Sequence, residues 1–172
     1  LRKLIDSPDL VIAPVALNPL MARMAVEAGF KAVYMSGGSL GWVKCGTEAT
    51  ITLPEMAEIA MEMRTVSDVP IVLDAGGGWG GIEHLVPAEF MVSKIEEAVA
   101  ARRDPNLVII GRTNTLRVTD LDDALRRGEA YKKAGADMIF IHTRKPEEMR
   151  IIGERLPAPL MIFAPEDGYG AS

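Results

Sequence analysis

The sequence predicts an α/β fold in which short parallel strands alternate with helices. Runs rich in β-branched and other apolar residues alternate with amphipathic segments three to four turns long. Each run is apolar almost throughout, which is typical of strands in a parallel sheet covered on both faces. The length, 172 residues, is that of one domain, so we expect residues 1–172 to form a single unit.

The elements follow from this pattern in order along the chain. Gly29 is expected to end the first helix because glycine readily takes a left-handed cap, and Pro54 is tolerated in the first turn of the second. The predicted strands are 10–14, 32–36, 70–74, 107–112, 138–142 and 159–163. The predicted helices are 20–29, 53–65, 87–103, 121–134 and 146–156.

Six predicted strands leave two arrangements open. A (β/α)8 barrel needs eight strands and about 250 residues, so the length favours an open doubly wound sheet. Chemistry-bearing residues follow five of the strands, which favours the barrel because its strands all end on one face. These residues are Ser36-Gly37-Gly38, Asp74, Arg112-Thr113-Asn114, His142-Thr143-Arg144 and Glu166-Asp167.

Composition excludes several classes of function. The net charge is −5, the basic residues are scattered, and aromatic residues make up 5% of the chain, so a nucleic-acid partner is not expected. Apolar runs are too short for a membrane span, and no secretory signal is recognised, which favours the cytoplasm. The single cysteine, Cys45, excludes an intramolecular disulfide and a multi-cysteine zinc site.

Three strand ends carry groups suited to small acidic ligands. Ser36-Gly37-Gly38 offers a hydroxyl and backbone amides to a carboxylate or phosphoryl group, or forms a plain tight turn. Asp74 ends a buried strand, where either a hydrated Mg²⁺ or the amides of the following glycine loop would satisfy its charge. Arg112 suits bidentate capture of a substrate carboxylate, or pairing with another strand-end acid.

The glycine run after the third strand raises a different function. Gly76, Gly78 and Gly81 match G-x-G-x-x-G, and Glu96 follows about 20 residues on, as in dinucleotide-binding folds. The next helix begins several residues after the last glycine rather than within the motif, which weakens this interpretation.

Several segments, in the right order, resemble the phosphoenolpyruvate mutase and isocitrate lyase superfamily. The similarity covers most of the chain. The segments are Ala13-Pro14, Asn18 to Ala22, Glu27 to Gly38, Thr52 to Met56, Pro70 to Asp74, Ala101 to Pro105, Ile109 to Thr113 and Ala134 to Phe140.

The resemblance implies a (β/α)8 barrel enzyme that uses Mg²⁺, with Mn²⁺ as an alternative, and forms tetramers. Carried over by position, Asp74 would hold the metal, and Ser36, Gly37 and Gly38 would bind the substrate carboxylate. Arg112 would clamp the substrate as the catalytic residue, and Tyr34 would line the substrate site.

The chain also departs from the superfamily's pattern. Gly76 stands where a second acid is usual, His142 replaces a sixth-strand glutamate, and Phe163 replaces a seventh-strand asparagine. Of the acidic residues beyond the second strand, Glu48 is the one that could take the place of the acid on the family's mobile loop.

The fourth and eighth strands of the barrel have no counterpart in this sequence. The fourth strand and the K-x-C-G-H loop after it would lie between Gly80 and Gly81, so we expect the natural protein to contain a further segment there and more chain at its C-terminal end. Lys44-Cys45-Gly46 is similar to that loop but follows the second strand, so Cys45 is assigned no catalytic role.

The sequence therefore predicts a Mg²⁺-dependent lyase that cleaves a C–C bond in a small 2-hydroxy or 2-oxo (di)carboxylic acid through an enolate. Phosphonomutase, phosphonopyruvate hydrolase and oxaloacetate decarboxylase chemistry remain alternatives on the same residues. A barrel that binds a carboxylate without turnover is the alternative from another class.

Overall fold

The computed structural model describes residues 1–76, 85–156 and 159–163. The chain forms two compact units, the first made of residue 1 and residues 3–83, the second of residue 2 and residues 84–172. In the described ranges, every strand pairing is parallel and helices connect the strands, which confirms the predicted α/β class. These strands form one two-stranded and one three-stranded sheet and do not close into a barrel.

The first unit packs helices against a two-stranded parallel sheet. Its strands β1 and β2 pair directly from Val33 with Ile71 to Met35 with Leu73. The elements are α1 (Arg2–Ile5), whose first residue belongs to the second unit, α2 (Pro19–Glu27), β1 (Val33–Met35), α3 (Gly37–Val43), a 3₁₀ turn (Glu48–Thr50), α4 (Leu53–Arg64) and β2 (Ile71–Leu73). The core is formed by apolar residues of these elements, among them Ala22, Val33, Met35, Leu40, Met56 and Met63.

Local signals set the helix ends of the first unit. The Asn18 side chain caps α2 by accepting from the Met21 amide, and Gly29 follows the helix with φ +89°, as its predicted cap role requires. Thr52 and Glu55 form a capping box at the start of α4. The bond from Lys44 and those from the Thr52 amide and hydroxyl lower the pKa of Glu55 to about 2.

The predicted first strand, 10–14, is wrong. The backbone there forms a single parallel bridge between Val15 and Tyr34, in which Tyr34 N–H donates to the Pro14 carbonyl. Leu10 and Ile12 are exposed, so the apolar run that predicted a buried strand does not pack in the core of this unit.

The second unit carries a three-stranded parallel sheet in the order β3-β4-β5. Pairing runs from Ile110 with Met138 to Thr113 with Ile141, and β5 continues the sheet on the other edge of β4. The elements are α5 (Ala88–Ala101), β3 (Ile110–Thr113), a 3₁₀ turn (Thr115–Arg117), α6 (Leu121–Lys133), β4 (Met138–Ile141), α7 (Pro146–Arg155) and β5 (Leu160–Met161). Its core includes Ile95, Leu125, Tyr131, Ile139, Ile152 and Leu156.

A partly buried carboxylate fixes the loops that precede β3 and β4. Asp137 accepts from the Ile109 amide at 2.9 Å and forms ion pairs with Arg2 and Arg102 at 2.8 and 2.7 Å. Burial alone would raise the pKa of Asp137, but these bonds outweigh it and hold the pKa below its ordinary value. The amino-terminal ends of both strands are thereby anchored.

In the described part of the chain, the helices are too short or too polar to span a lipid bilayer.

Candidate functional site

Asp74 lies directly after β2, with its carboxylate held by two hydrogen bonds. The Tyr34 hydroxyl donates to Oδ2 at 2.6 Å, and the Gly76 amide donates to Oδ1 at 3.1 Å. The Asp74 amide donates to the Met35 carbonyl at 3.0 Å, which ties the residue to the end of β1. The carboxylate is therefore fixed at the carboxyl end of the sheet, where the sequence placed it.

Ser36, Gly37 and Gly38 do not form a plain turn, because they begin α3. Ser36 is the N-cap, and its hydroxyl accepts from the Ser39 amide at 3.2 Å. Gly37 is required by close packing, since a Cβ there would lie 3.0 Å from the backbone oxygen of Asp74. Because Gly37 has no side chain, the start of α3 can pack closely against the backbone of Asp74.

Glu48 lies over this glycine-walled surface. Its Oε2 is 3.6 Å from where a Cβ on Gly37 would lie and 3.5 Å from the same point on Gly38. Its Cδ is 3.7 Å from where a Cβ on Gly76 would lie. Glu48, the acid predicted from the sequence after the second strand, therefore lies beside Gly37 and Gly76, which contact Asp74, and beside Gly38.

Arg112, in the second unit, lies on β3 beside Phe140 of β4. The two residues are direct register partners, and the guanidinium carbon lies 4.9 Å from the centre of the Phe140 ring. The guanidinium also donates to Oδ1 of Asn114 at 3.3 Å. Because Phe140 is only 3% exposed, its ring gives the cation a fixed face to lie against.

His142 follows β4 in the same unit and lies among aromatic and cationic groups. Its ring centre is 6.0 Å from those of Phe140 and Phe163. Burial and the positive charges of Arg117, Arg112 and Arg144 lower the pKa of His142 below its ordinary value. The lowered pKa favours the neutral imidazole, which can both donate and accept a hydrogen bond.

The turn that carries Arg117 is built on buried threonines. The hydroxyls of Thr113 and Thr115 hydrogen-bond to each other, and both residues are buried. The Arg117 amide donates to the Asn114 carbonyl at 3.0 Å, which closes the 3₁₀ turn. Arg117 is not among the site residues predicted from the sequence, because a single arginine in a polar loop forms no recognisable motif.

The donors around Asp74 fit a magnesium ion. Mg²⁺ takes oxygen ligands, is commonly held by one or two carboxylates, and keeps several waters. Among the described residues, no group of three or more His, Cys, Asp or Glu side chains is arranged to enclose a metal. The carboxylate oxygens of Asp74, together with those of a nearby acid such as Glu48, match the one or two carboxylates that commonly hold Mg²⁺.

Some predicted features lie outside the described residues. They are the junction of Gly80 and Gly81, the motif glycines Gly78 and Gly81, and the acids Glu166 and Asp167.

Comparison with known proteins gives a family. The family model described as "Phosphoenolpyruvate phosphomutase" matches residues 81–171. The chain is 32% identical to 2-methylisocitrate lyase of Bacillus subtilis (strain 168), an alignment that covers 97% of this chain and 67% of the relative. The chain thus spans about two thirds of the length of that relative. The alignment runs over 206 positions, so the relative has residues that this 172-residue chain lacks.

Solved structures agree. A 2,3-dimethylmalate lyase described as a PEP mutase/isocitrate lyase superfamily member has a TM-score of 0.88 and 27% identity, covering 99% of this chain and 73% of that one. A phosphonopyruvate hydrolase crystallised with oxalate and Mg²⁺ has a TM-score of 0.86 and 28% identity, covering 94% and 69%.

These matches confirm the resemblance read from the sequence, and the relatives' names confirm an enzyme family that includes carbon–carbon lyases. The chain belongs to the phosphoenolpyruvate phosphomutase family, within the PEP mutase/isocitrate lyase superfamily.

Proposed function

We propose that this protein is a Mg²⁺-dependent lyase that cleaves a C–C bond in a small 2-hydroxy or 2-oxo (di)carboxylic acid. As that bond breaks, its electron pair forms the enolate of one fragment. The other fragment leaves as a carbonyl compound, with loss of the substrate's hydroxyl proton, or as CO₂, and a proton then quenches the enolate. The main support is the position of the Asp74 carboxylate. It lies at a strand end lined by glycines and accepts hydrogen bonds from the Tyr34 hydroxyl and the Gly76 amide.

Asp74 is the proposed metal ligand. The two hydrogen bonds orient its carboxylate, and carboxylate oxygens can accept several bonds each, so coordination is compatible with both. A bound Mg²⁺ would stabilise negative charge that develops on substrate oxygens. Tyr34 keeps the carboxylate in place and lines the same surface.

The backbone amides at the start of α3 are the proposed carboxylate site. The first amides of a helix have no partner within the helix. Gly37 packs against the backbone of Asp74, neither Gly37 nor Gly38 carries a side chain that would block a ligand, and Ser36 adds a hydroxyl. This set would hold the substrate end that gains charge during cleavage.

Arg112 is the proposed clamp for a second acidic group of the substrate. After burial, the charges of Arg117, Arg112 and Arg144 are the next causes of the lowered pKa of His142, so three cations lie near this residue. Such a cluster suits a dicarboxylate and suits a phosphonate equally well. Phosphonate chemistry and oxaloacetate decarboxylation are therefore second candidates.

The proposal extends to the whole protein. We expect a (β/α)8 barrel, completed by a segment between Gly80 and Gly81 and by further chain at the C-terminal end, working as a homotetramer in the cytoplasm. The alignment with 2-methylisocitrate lyase of Bacillus subtilis (strain 168) runs over 206 positions, more than the 172 residues of this chain, which supports an additional segment in the natural protein.

The test is a product assay with the intact protein. A panel of 2-methylisocitrate, 2,3-dimethylmalate, oxaloacetate and phosphonopyruvate is incubated with Mg²⁺ or with EDTA, and products are quantified by mass spectrometry. We expect one acid to be cleaved at a C–C bond in a Mg²⁺-dependent reaction. Turnover of phosphonopyruvate alone would select phosphonate chemistry, whereas saturable binding with no turnover would favour a carboxylate-binding protein.

A further inference from the structure

Glu48 and Asp74 face a common surface in the first unit. A single point, the Cβ position of Gly37, lies 3.0 Å from the Asp74 backbone oxygen and 3.6 Å from Oε2 of Glu48. The Glu48 carboxyl carbon lies 3.7 Å from the Cβ position of Gly76, whose amide donates to the Asp74 carboxylate. Two acids from separate segments thus border the same glycine-lined space.

The space beside Gly76 is the space that a side chain on residue 76 would enter. Gly76 has φ +53°, and an added Cβ would meet Cβ, Cγ and Cδ of Glu48 at 3.7 to 3.8 Å. Glu48 therefore borders the volume in which an acid at position 76 would place its first atoms, at ordinary van der Waals distance. Because Gly76 has no side chain, the Glu48 carboxyl group borders this space without competition from residue 76.

The backbone of Glu48 is held in place by packing on α3. A Cβ on Gly41 would lie 2.7 Å from the Glu48 amide nitrogen and 2.6 Å from the Thr47 carbonyl carbon, so this approach requires glycine. Lys44 pairs with Glu55 at 2.6 Å across the loop, and the Thr50 hydroxyl donates to the Thr47 carbonyl at 2.7 Å. The loop presents Glu48 from a defined backbone position.

We propose that Glu48 supplies the second carboxylate of the magnesium site, beside Asp74, in place of an acid at position 76. The inference rests on the proposed function, because it assumes that Asp74 faces the metal. A hydrated Mg²⁺ is held by one or two carboxylates, directly or through its waters, and a second carboxylate adds to the electrostatic attraction. The Glu48 side chain is exposed, so it can change rotamer to face the ion.

The experiment is cation binding by the intact chain, measured without substrate. Free Mn²⁺ is followed by electron paramagnetic resonance, and Mg²⁺ is titrated in competition. We expect Glu48→Gln and Asp74→Asn each to weaken binding by about tenfold or more. The matched control is Glu58→Gln, an exposed glutamate on α4, which is expected to bind as the wild type does.

A relocation variant separates ligation from loop folding. The double variant Glu48→Ala with Gly76→Asp removes the carboxylate at position 48 and adds one at position 76. Aspartate is among the residues that tolerate the positive φ of this position. We expect it to recover most of the lost affinity, with thermal unfolding showing that each variant is folded.

Three results would overturn the proposal. Wild-type affinity in Glu48→Gln, with loss in Asp74→Asn, would leave the proposed function standing and refute the role of Glu48. No recovery in the double variant would mean that Glu48 acts only on the loop. No cation binding by the wild type would refute the magnesium-dependent function and this inference together.

Discussion

The Tyr34 hydroxyl donates a 2.6 Å hydrogen bond to Oδ2 of Asp74, across the pairing of β1 with β2. Tyr34 is 8% exposed, so the bond is sheltered from competing water. A short bond from a buried phenol restricts the carboxylate to one rotamer. It thereby links the core of the first unit to the proposed metal ligand.

Tyr34→Phe is expected to weaken Mg²⁺ binding by about 10-fold to 100-fold, because partners that orient a metal ligand contribute on that scale. The variant keeps the ring, so its melting temperature should change little. Competition titration against Mn²⁺ measures the affinity. Unchanged affinity would show that the hydrogen bond has no role in orienting Asp74.

Phe140→Leu is expected to raise KM by about tenfold with a smaller effect on kcat, because the Arg112 guanidinium loses the ring face beneath it. Steady-state kinetics with the substrate that the panel identifies measures both constants. Phe90→Leu is the matched control, since Lys94 lies 5.1 Å from the centre of that exposed ring. Equal KM values in Phe140→Leu and the wild type would contradict the positioning role.

The lowered pKa of His142 predicts a pH dependence of stability. Below about pH 6.5 the unfolded chain takes up a proton on this residue while the folded chain does not, so folding is progressively disfavoured. The loss continues until the pH reaches the lowered folded-state pKa. Urea unfolding at pH 7.5, 6.5 and 5.5 should show a shallower decline for His142→Gln. Parallel curves for the two proteins would contradict the shift.

Gly41→Ala is expected to destabilise the first unit and weaken Mg²⁺ binding. The new methyl group would overlap backbone atoms of Thr47 and Glu48, and backbone cannot move aside as cheaply as a side chain. Gly153→Ala in α7 is the control. It meets no atom within 4 Å, so it should leave stability unchanged or raise it by about 1 kcal/mol or less. Similar melting curves for both variants would contradict the close approach of α3 and the Glu48 loop.

Strong local patterns predicted most of the helices and strands. Helix α4 begins at Leu53 as its Thr52–Glu55 box and Pro54 indicate, and β4 covers 138–141 of the predicted 138–142. The 10–14 run failed because apolar content alone cannot say whether a neighbouring strand will cover it. The start of α3 was missed because Gly37 and Gly38 are poor helix formers, which Ser36 compensates as a cap.

The candidate site was predictable where a residue follows a strand, as for Asp74 and Arg112. The distances between residues from different segments of the site could not be predicted from the sequence. The position of Glu48 over Gly76 depends on how Gly41 lets the following loop fold back, and no periodicity encodes that approach. The aromatic support of Arg112 depends on the register that pairs it with Phe140.

The most direct measurement is substrate cleavage by the wild type and Asp74→Asn across a Mg²⁺ titration, at a fixed concentration of the acid that the panel selects. We expect saturable dependence on Mg²⁺ in the wild type and a loss of at least about 100-fold in the variant, with both proteins folded. Cleavage that persists in EDTA, or that is equal in both proteins, would contradict a magnesium-dependent lyase centred on Asp74.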